Sequence, residues 1–123
     1  MFGKARSTLV LMTLSLIALL GAGQALAHAK LRSADPAPNA MVAAPKMIHL
    51  VFSEEIAKKF STFRLTDTDG KSVPLMSMDS HDASSLAAMP TRPLAPGRYT
   101  VSWTAVATDD GHKTMGTFSF TVQ

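Results

Sequence analysis

The sequence predicts an all-β chain, a Greek-key sandwich of about seven strands, on three observations. No long stretch after residue 27 repeats its apolar residues at helical spacing. Short runs instead alternate apolar and polar residues with period two, the signature of a strand with one buried face. Pro, Gly, Asn, Asp and Ser separate those runs at intervals that suit turns.

Taken in order, a weak strand lies near Leu31, and Lys46–Phe52 follows with Ile48, Leu50 and Phe52 on one face and Met47, His49 and Val51 on the other. Ser53–Lys59 can form one helical turn, with Ser53 as cap and Glu54 and Glu55 at its positive end. Phe60–Thr66 is the next strand, and Asp67-Thr68-Asp69-Gly70 closes it with the residue types of a tight turn. Weaker strands fall near Val73 and Leu86, while the Ser-rich span Met76–Ala88 reads as a long loop or an edge strand. Pro96-Gly97 turns the chain into Tyr99–Ala105, where Tyr99, Val101 and Trp103 share a face. The last strand, Gly116–Val122, alternates Phe118, Phe120 and Val122 with Thr117, Ser119 and Thr121. The pattern fits an immunoglobulin-type sandwich, with a small barrel as the alternative.

Residues 1–27 read as a cleaved signal peptide, because Lys4 and Arg6 precede an uncharged run from Leu9 to Leu20 and the segment ends in Ala25-Leu26-Ala27. Its apolar run is shorter than the about 20 residues that span a bilayer. Residues 28–123 then form one domain beginning at His28. Two of the twelve Lys and Arg residues lie in the leader, so the exported part holds ten against nine Asp and Glu and is close to neutral. With no basic cluster it offers no nucleic-acid surface, and after processing it inserts in no membrane. Cysteine is absent, which excludes disulfides and thiolate chemistry and leaves imidazole and thioether as the softer metal donors.

Cleavage after Ala27 gives His28 two donors, its free α-amine and its ring Nδ1, which can close one chelate on a metal ion. An α-amine has an ordinary pKa near 8 and an imidazole about 6.5, so a metal displaces few protons at neutral pH. Two nitrogens in one plane suit Cu(II) or Ni(II), and copper stands highest in the divalent affinity series. Asp110 and His112 are two residues apart in Asp109-Asp110-Gly111-His112-Lys113, so an extended backbone would put both on one side and complete a set of three nitrogens and one oxygen. Gly111 allows the bend that makes them converge. Asp109 is the rival oxygen donor, and Lys113 reads as a surface charge.

His28-Ala29-Lys30-Leu31, Ser33-Ala34-Asp35-Pro36-Ala37, Leu50-Val51-Phe52-Ser53-Glu54, Pro96 through Trp103 and Asp110-Gly111-His112-Lys113-Thr114 occur in this order. Together they resemble the CopC family of periplasmic copper-binding proteins, including its YobA branch, over essentially the whole exported domain. The resemblance implies a seven-stranded cupredoxin-like or immunoglobulin-like sandwich and one Cu(II) per chain on His28, Asp110 and His112. It also implies a periplasmic role in copper resistance, homeostasis or delivery, and a CopD-type inner-membrane partner. The methionine-rich Cu(I) loop of some members is poorly matched, with only Met76, Met78, His81 and Met89 to form a degenerate second site.

The remaining candidates read as structure. Met41, Met47 and Met115 sit at sheet positions where methionine fills gaps in a core. His49 faces solvent or is partly covered, and His81 is a solvated loop residue between Asp79 and Asp82. Asp67-Thr68-Asp69-Gly70 is no calcium loop, because the twelfth position from Asp67 is Met78 and not Glu. Trp103 is a core anchor. The chain therefore reads as a non-catalytic copper binder. Its rivals are a copper oxygenase with an amine-and-two-imidazole site, which the single Trp and single Tyr equip poorly, and a metal-free immunoglobulin-like domain.

Overall fold

The computed structural model describes residues 28–123, and the expected signal peptide lies outside them. Among the described residues nine strands form: β1 Leu31–Asp35, β2 Met41–Val42, β3 Ile48–Phe52, β4 Thr62–Thr66, β5 Ser72–Val73, β6 Leu75–Met78, β7 Ser85–Pro90, β8 Gly97–Val106 and β9 Lys113–Val122. Seven of them are longer than two residues, and β2 and β5 are two-residue additions. They build two sheets, in the orders β1-β3-β7-β6 and β2-β9-β8-β4-β5. Only the β2–β9 pair is parallel among these strands.

Alternation turns one face of each sheet inward. Ile48, Leu50 and Phe52 of β3 are at most 1% exposed, as are Val101 and Ala105 of β8 and Phe120 of β9. Each large apolar side chain so buried contributes about 1.5–3 kcal/mol against the entropy of ordering the chain. Trp103 meets Phe52 of the opposite sheet edge-on, with ring centroids 5.2 Å apart, and its indole covers Gly116, where an added Cβ would lie 2.5 Å from Cζ2. Tyr99 stacks on Phe120 and donates its hydroxyl to the Ala95 carbonyl at 2.7 Å, so its polar end is satisfied where it is buried.

Two local expectations change. Met41, Met47 and Met115 are 66%, 45% and 72% exposed, because they sit on the outward parity of their strands or just before a strand begins, and they fill no core gap. The helical turn forms late, as a 3₁₀ turn at Lys58–Phe60 with no side-chain cap, so Phe60 is an exposed turn residue and its strand starts at Thr62. The Ser-rich span divides into edge strand β6, a loop and β7, with Ser85 fully buried under that loop and bonded to Ser80. His49 is half-buried on the outer face of β3, and Asp67 closes the β4–β5 turn by accepting the amides of Asp69 and Lys71. Among the described residues, no helix is long and apolar enough to cross a membrane.

Candidate metal centre

The β8–β9 hairpin sets the position of two of the predicted donors. Its connection is pinned at both ends, because Ala107 donates its amide to the His112 carbonyl at 3.0 Å and Gly111 donates to the Ala107 carbonyl at 3.0 Å. Gly111 has φ of +69°, in the left-handed region that glycine enters without a Cβ penalty. Asp110 then bends the chain locally, accepting the His112 amide on Oδ1 at 3.0 Å. Asp110 and His112 therefore converge through an Asx-turn and not through strand alternation, since neither residue belongs to a strand.

The third donor arrives from the far end of the domain. The segment before β1 lies across the open end of the sandwich, and His28 comes to rest with Nδ1 3.2 Å from Nδ1 of His112. Asp110 Oδ2 lies 3.2 Å from His112 Nδ1 and 4.0 Å from His28 Nδ1. The two imidazole centroids are 4.8 Å apart. Donors bound about 2 Å from one ion can lie no more than about 4 Å apart, and the three spacings of 3.2, 3.2 and 4.0 Å fall within that limit.

Its electrostatics favour a cation. Two ring nitrogens at 3.2 Å repel through their lone pairs unless a proton or a metal ion lies between them. Asp110 supplies the negative charge, and its carboxyl is held below the ordinary carboxylate value. The largest cause is the amide hydrogen bond from His112, with partial burial opposing it and the imidazoles of His112 and His28 assisting. All three side chains remain partly open, at 37% for His28, 31% for Asp110 and 54% for His112, so an ion can enter. Among the described residues these three are the group of acidic and imidazole side chains able to hold one metal ion together.

Asp109 does not join them, which favours Asp110 in that rivalry. His49 and His81 also stay apart from the group, and His81 lies instead in the β6–β7 loop beside Asp79 at 3.6 Å. Met76 and Met78 share the outward face of β6, and Met76 has Met89 of β7 as its cross-strand partner.

Two residues that matter to this geometry escaped the sequence reading. Ser53 caps no helix; its hydroxyl receives the Lys30 amide at 3.0 Å and faces the His28 carbonyl at 3.4 Å. Thr114 donates its hydroxyl to the Ala29 carbonyl at 2.6 Å. A hydroxyl residue directly after a strand, or two residues after the Asp-x-His turn, was the signal available.

Residues 31–123 match the family model described as the CopC domain. The chain is 38% identical to copper resistance protein C of Escherichia coli over 112 residues, spanning 80% of this chain and 84% of that protein. It is 38% identical to protein YobA of Escherichia coli K12 over 100 residues, spanning 79% and 80%. The crystal structure of PcoC, a methionine-rich copper resistance protein from Escherichia coli, superposes with a TM-score of 0.72 at 37% identity, covering 79% of this chain and all of that one. CopC from Methylosinus trichosporium OB3b superposes with a TM-score of 0.70 at 30% identity, covering 78% and 94%.

Proposed function

The chain belongs to the CopC family of copper resistance proteins, and on that footing we propose that it is an exported periplasmic protein that holds one Cu(II) on His28, Asp110 and His112. In this reading, processing after Ala27 frees the His28 amine, which joins the ring Nδ1 of the same residue on the ion. The observation that carries it is the convergence of two imidazoles and one carboxylate from opposite ends of the domain, within 4.8 Å of one another. Imidazole and carboxylate donors suit a divalent ion such as Cu(II).

In this reading it binds copper without turnover, in copper resistance, homeostasis or delivery. Trp103 and Tyr99 are both buried in the core, so neither offers the flat aromatic surface that an oxygenase acting on polysaccharide would place beside its copper. Mass spectrometry of the exported protein, followed by Cu(II) titration of the same species, tests the proposal. A first residue of His28 and one tightly bound Cu(II) with a tetragonal spectrum are expected; a chain that starts elsewhere, or binds no Cu(II), contradicts it.

A softer second site is favoured by the register of β6 and β7, which sets Met76 opposite Met89 with Met78 two residues along the same outward face. Thioethers suit Cu(I), and His81 lies in the neighbouring β6–β7 loop beside Asp79. Titration with Ag(I) as a redox-inert stand-in should shift the methyl resonances of these three methionines, and unmoved resonances would remove the site.

A further inference from the structure

We propose that Ser53 and Thr114 are positioning residues for copper capture, clamping the His28-Ala29-Lys30 backbone so that His28 waits opposite His112 before any metal arrives. The inference deepens the copper reading above and rests on it. A chain end ordinarily frays, and the first residues of a domain stay loose unless something ties them down. Here every backbone carbonyl of the three residues has a partner. The Lys30 carbonyl accepts the Ser53 amide at 2.8 Å, the Ala29 carbonyl accepts the Thr114 hydroxyl at 2.6 Å, and the His28 carbonyl faces the Ser53 hydroxyl at 3.4 Å. The Ser53 hydroxyl also receives the Lys30 amide at 3.0 Å, so one hydroxyl works as both acceptor and donor. Ala29 between them is 1% exposed.

The two clamping residues come from different sheets. Ser53 follows the last residue of β3 in the four-stranded sheet, and Thr114 is the second residue of β9 in the five-stranded one. The tripeptide thus bridges the open end of the sandwich. Thr114 stands two residues after His112 and holds the residue next to His28, so the bond from its hydroxyl sets how far apart the two imidazoles lie. Its hydroxyl is also 3.4 Å from the Ala105 carbonyl of β8, but one proton serves one acceptor well, and the 2.6 Å partner is Ala29. Neither Ser53 nor Thr114 belongs to the donor group itself. Their contribution is pre-organisation: without the clamp, the segment would have to be ordered at the moment of binding.

The test uses the exported protein and the variants Thr114→Val, Ser53→Ala and Thr114→Ser. In the metal-free state, ¹⁵N relaxation should report Ala29 and Lys30 as ordered as the strands in the wild type and mobile in Thr114→Val and in Ser53→Ala. Cu(II) affinity should fall about tenfold or more in each of these two, the size typical of losing a residue that orients metal ligands. The Cu(II) electron paramagnetic resonance spectrum should keep its parameters, because no donor is lost, and Thr114→Ser should recover wild-type affinity. Unchanged affinity in the folded variants, or Ala29 and Lys30 as ordered as before, overturns the clamp while the copper reading stands. Absence of Cu(II) binding in the wild type overturns the copper reading, and the clamp with it.

Discussion

The chain carries the pattern Asp-x-His twice, at Asp79-Ser80-His81 and at Asp110-Gly111-His112, and the two copies make the same local hydrogen bond. In each, the carboxylate accepts the amide of the histidine two residues on, at 3.2 Å in the first and 3.0 Å in the second. Each also brings its carboxylate near the imidazole of that histidine, at 3.6 and 3.2 Å. Only the second acquires a third donor, when the clamped amino-terminal segment delivers His28. The first stays in water, its His81 and Asp79 side chains 89% and 76% exposed. An Asx-turn is thus a local product of two residues, and a metal centre is a tertiary product of the sandwich closing over it.

The sharpest way to break the comparison is to remove the histidine from each copy in turn. His112→Ala should weaken Cu(II) binding by about two orders of magnitude, equivalent to roughly 3 kcal/mol, and His81→Ala should leave it unchanged. Competition against a chelator of known affinity reads both. Comparable losses in the two variants would mean that the copies are functionally equivalent.

Replacing the carboxylates gives a smaller contrast. Asp110→Asn keeps an oxygen to accept the His112 amide but loses the charge, so Cu(II) affinity should drop about tenfold, by roughly 1.4 kcal/mol. Asp79→Asn should change it little. Isothermal titration of both variants checks the difference.

The backbone offers a third contrast, because the two copies use left-handed conformations at different places. Gly111 has φ of +69° and His81 has φ of +53°. No atom lies within 4 Å of where a Cβ on Gly111 would sit, so Gly111→Ala should cost about 1–2 kcal/mol through the backbone alone. His81→Gly relieves such a cost, and its thermal midpoint should hold or rise. A Gly111→Ala protein as stable as the wild type would show that the turn shifts easily.

The smallest effect is on pH. The Asp110 pKa in the fold lies below the ordinary value of 3.8, so its charged form favours the native state. That contribution is complete above the ordinary value and is lost as the pH falls through the lowered one. Metal-free wild type and Asp110→Asn should therefore differ in thermal midpoint above the ordinary value and converge in stronger acid. Parallel curves throughout would contradict it. Asp82, whose carboxyl is lowered chiefly by the amide of Ser84, gives the same sign in the other loop.

The legible parts of this chain were those where period-two alternation decides burial. Tyr99–Ala105 and Gly116–Val122 read as strands because Val101, Trp103, Phe120 and Val122 had to turn inward, and they do. His28, Asp110 and His112 were legible as donor types, and their meeting followed from the family resemblance more than from spacing. Methionine misled, since its apolar side chain suggests burial while Met41 and Met115 lie on outward faces whose parity only the register decides. Ser53 misled because the residue before Glu-Glu looks like a helix cap, and its true partners, His28 and Lys30, are more than twenty residues away. Asp110 was preferred to Asp109 from the sequence, and the turn at Gly111 places Asp110 and not Asp109 with the two rings.

The most direct measurement compares Cu(II) affinity of protein beginning at His28 with that of protein retaining Ala27 ahead of it. If the freed amine and the ring of His28 grip the ion together with Asp110 and His112, the one-residue extension should weaken binding by about two orders of magnitude, roughly 3 kcal/mol. Equal affinity in the two forms would contradict the account.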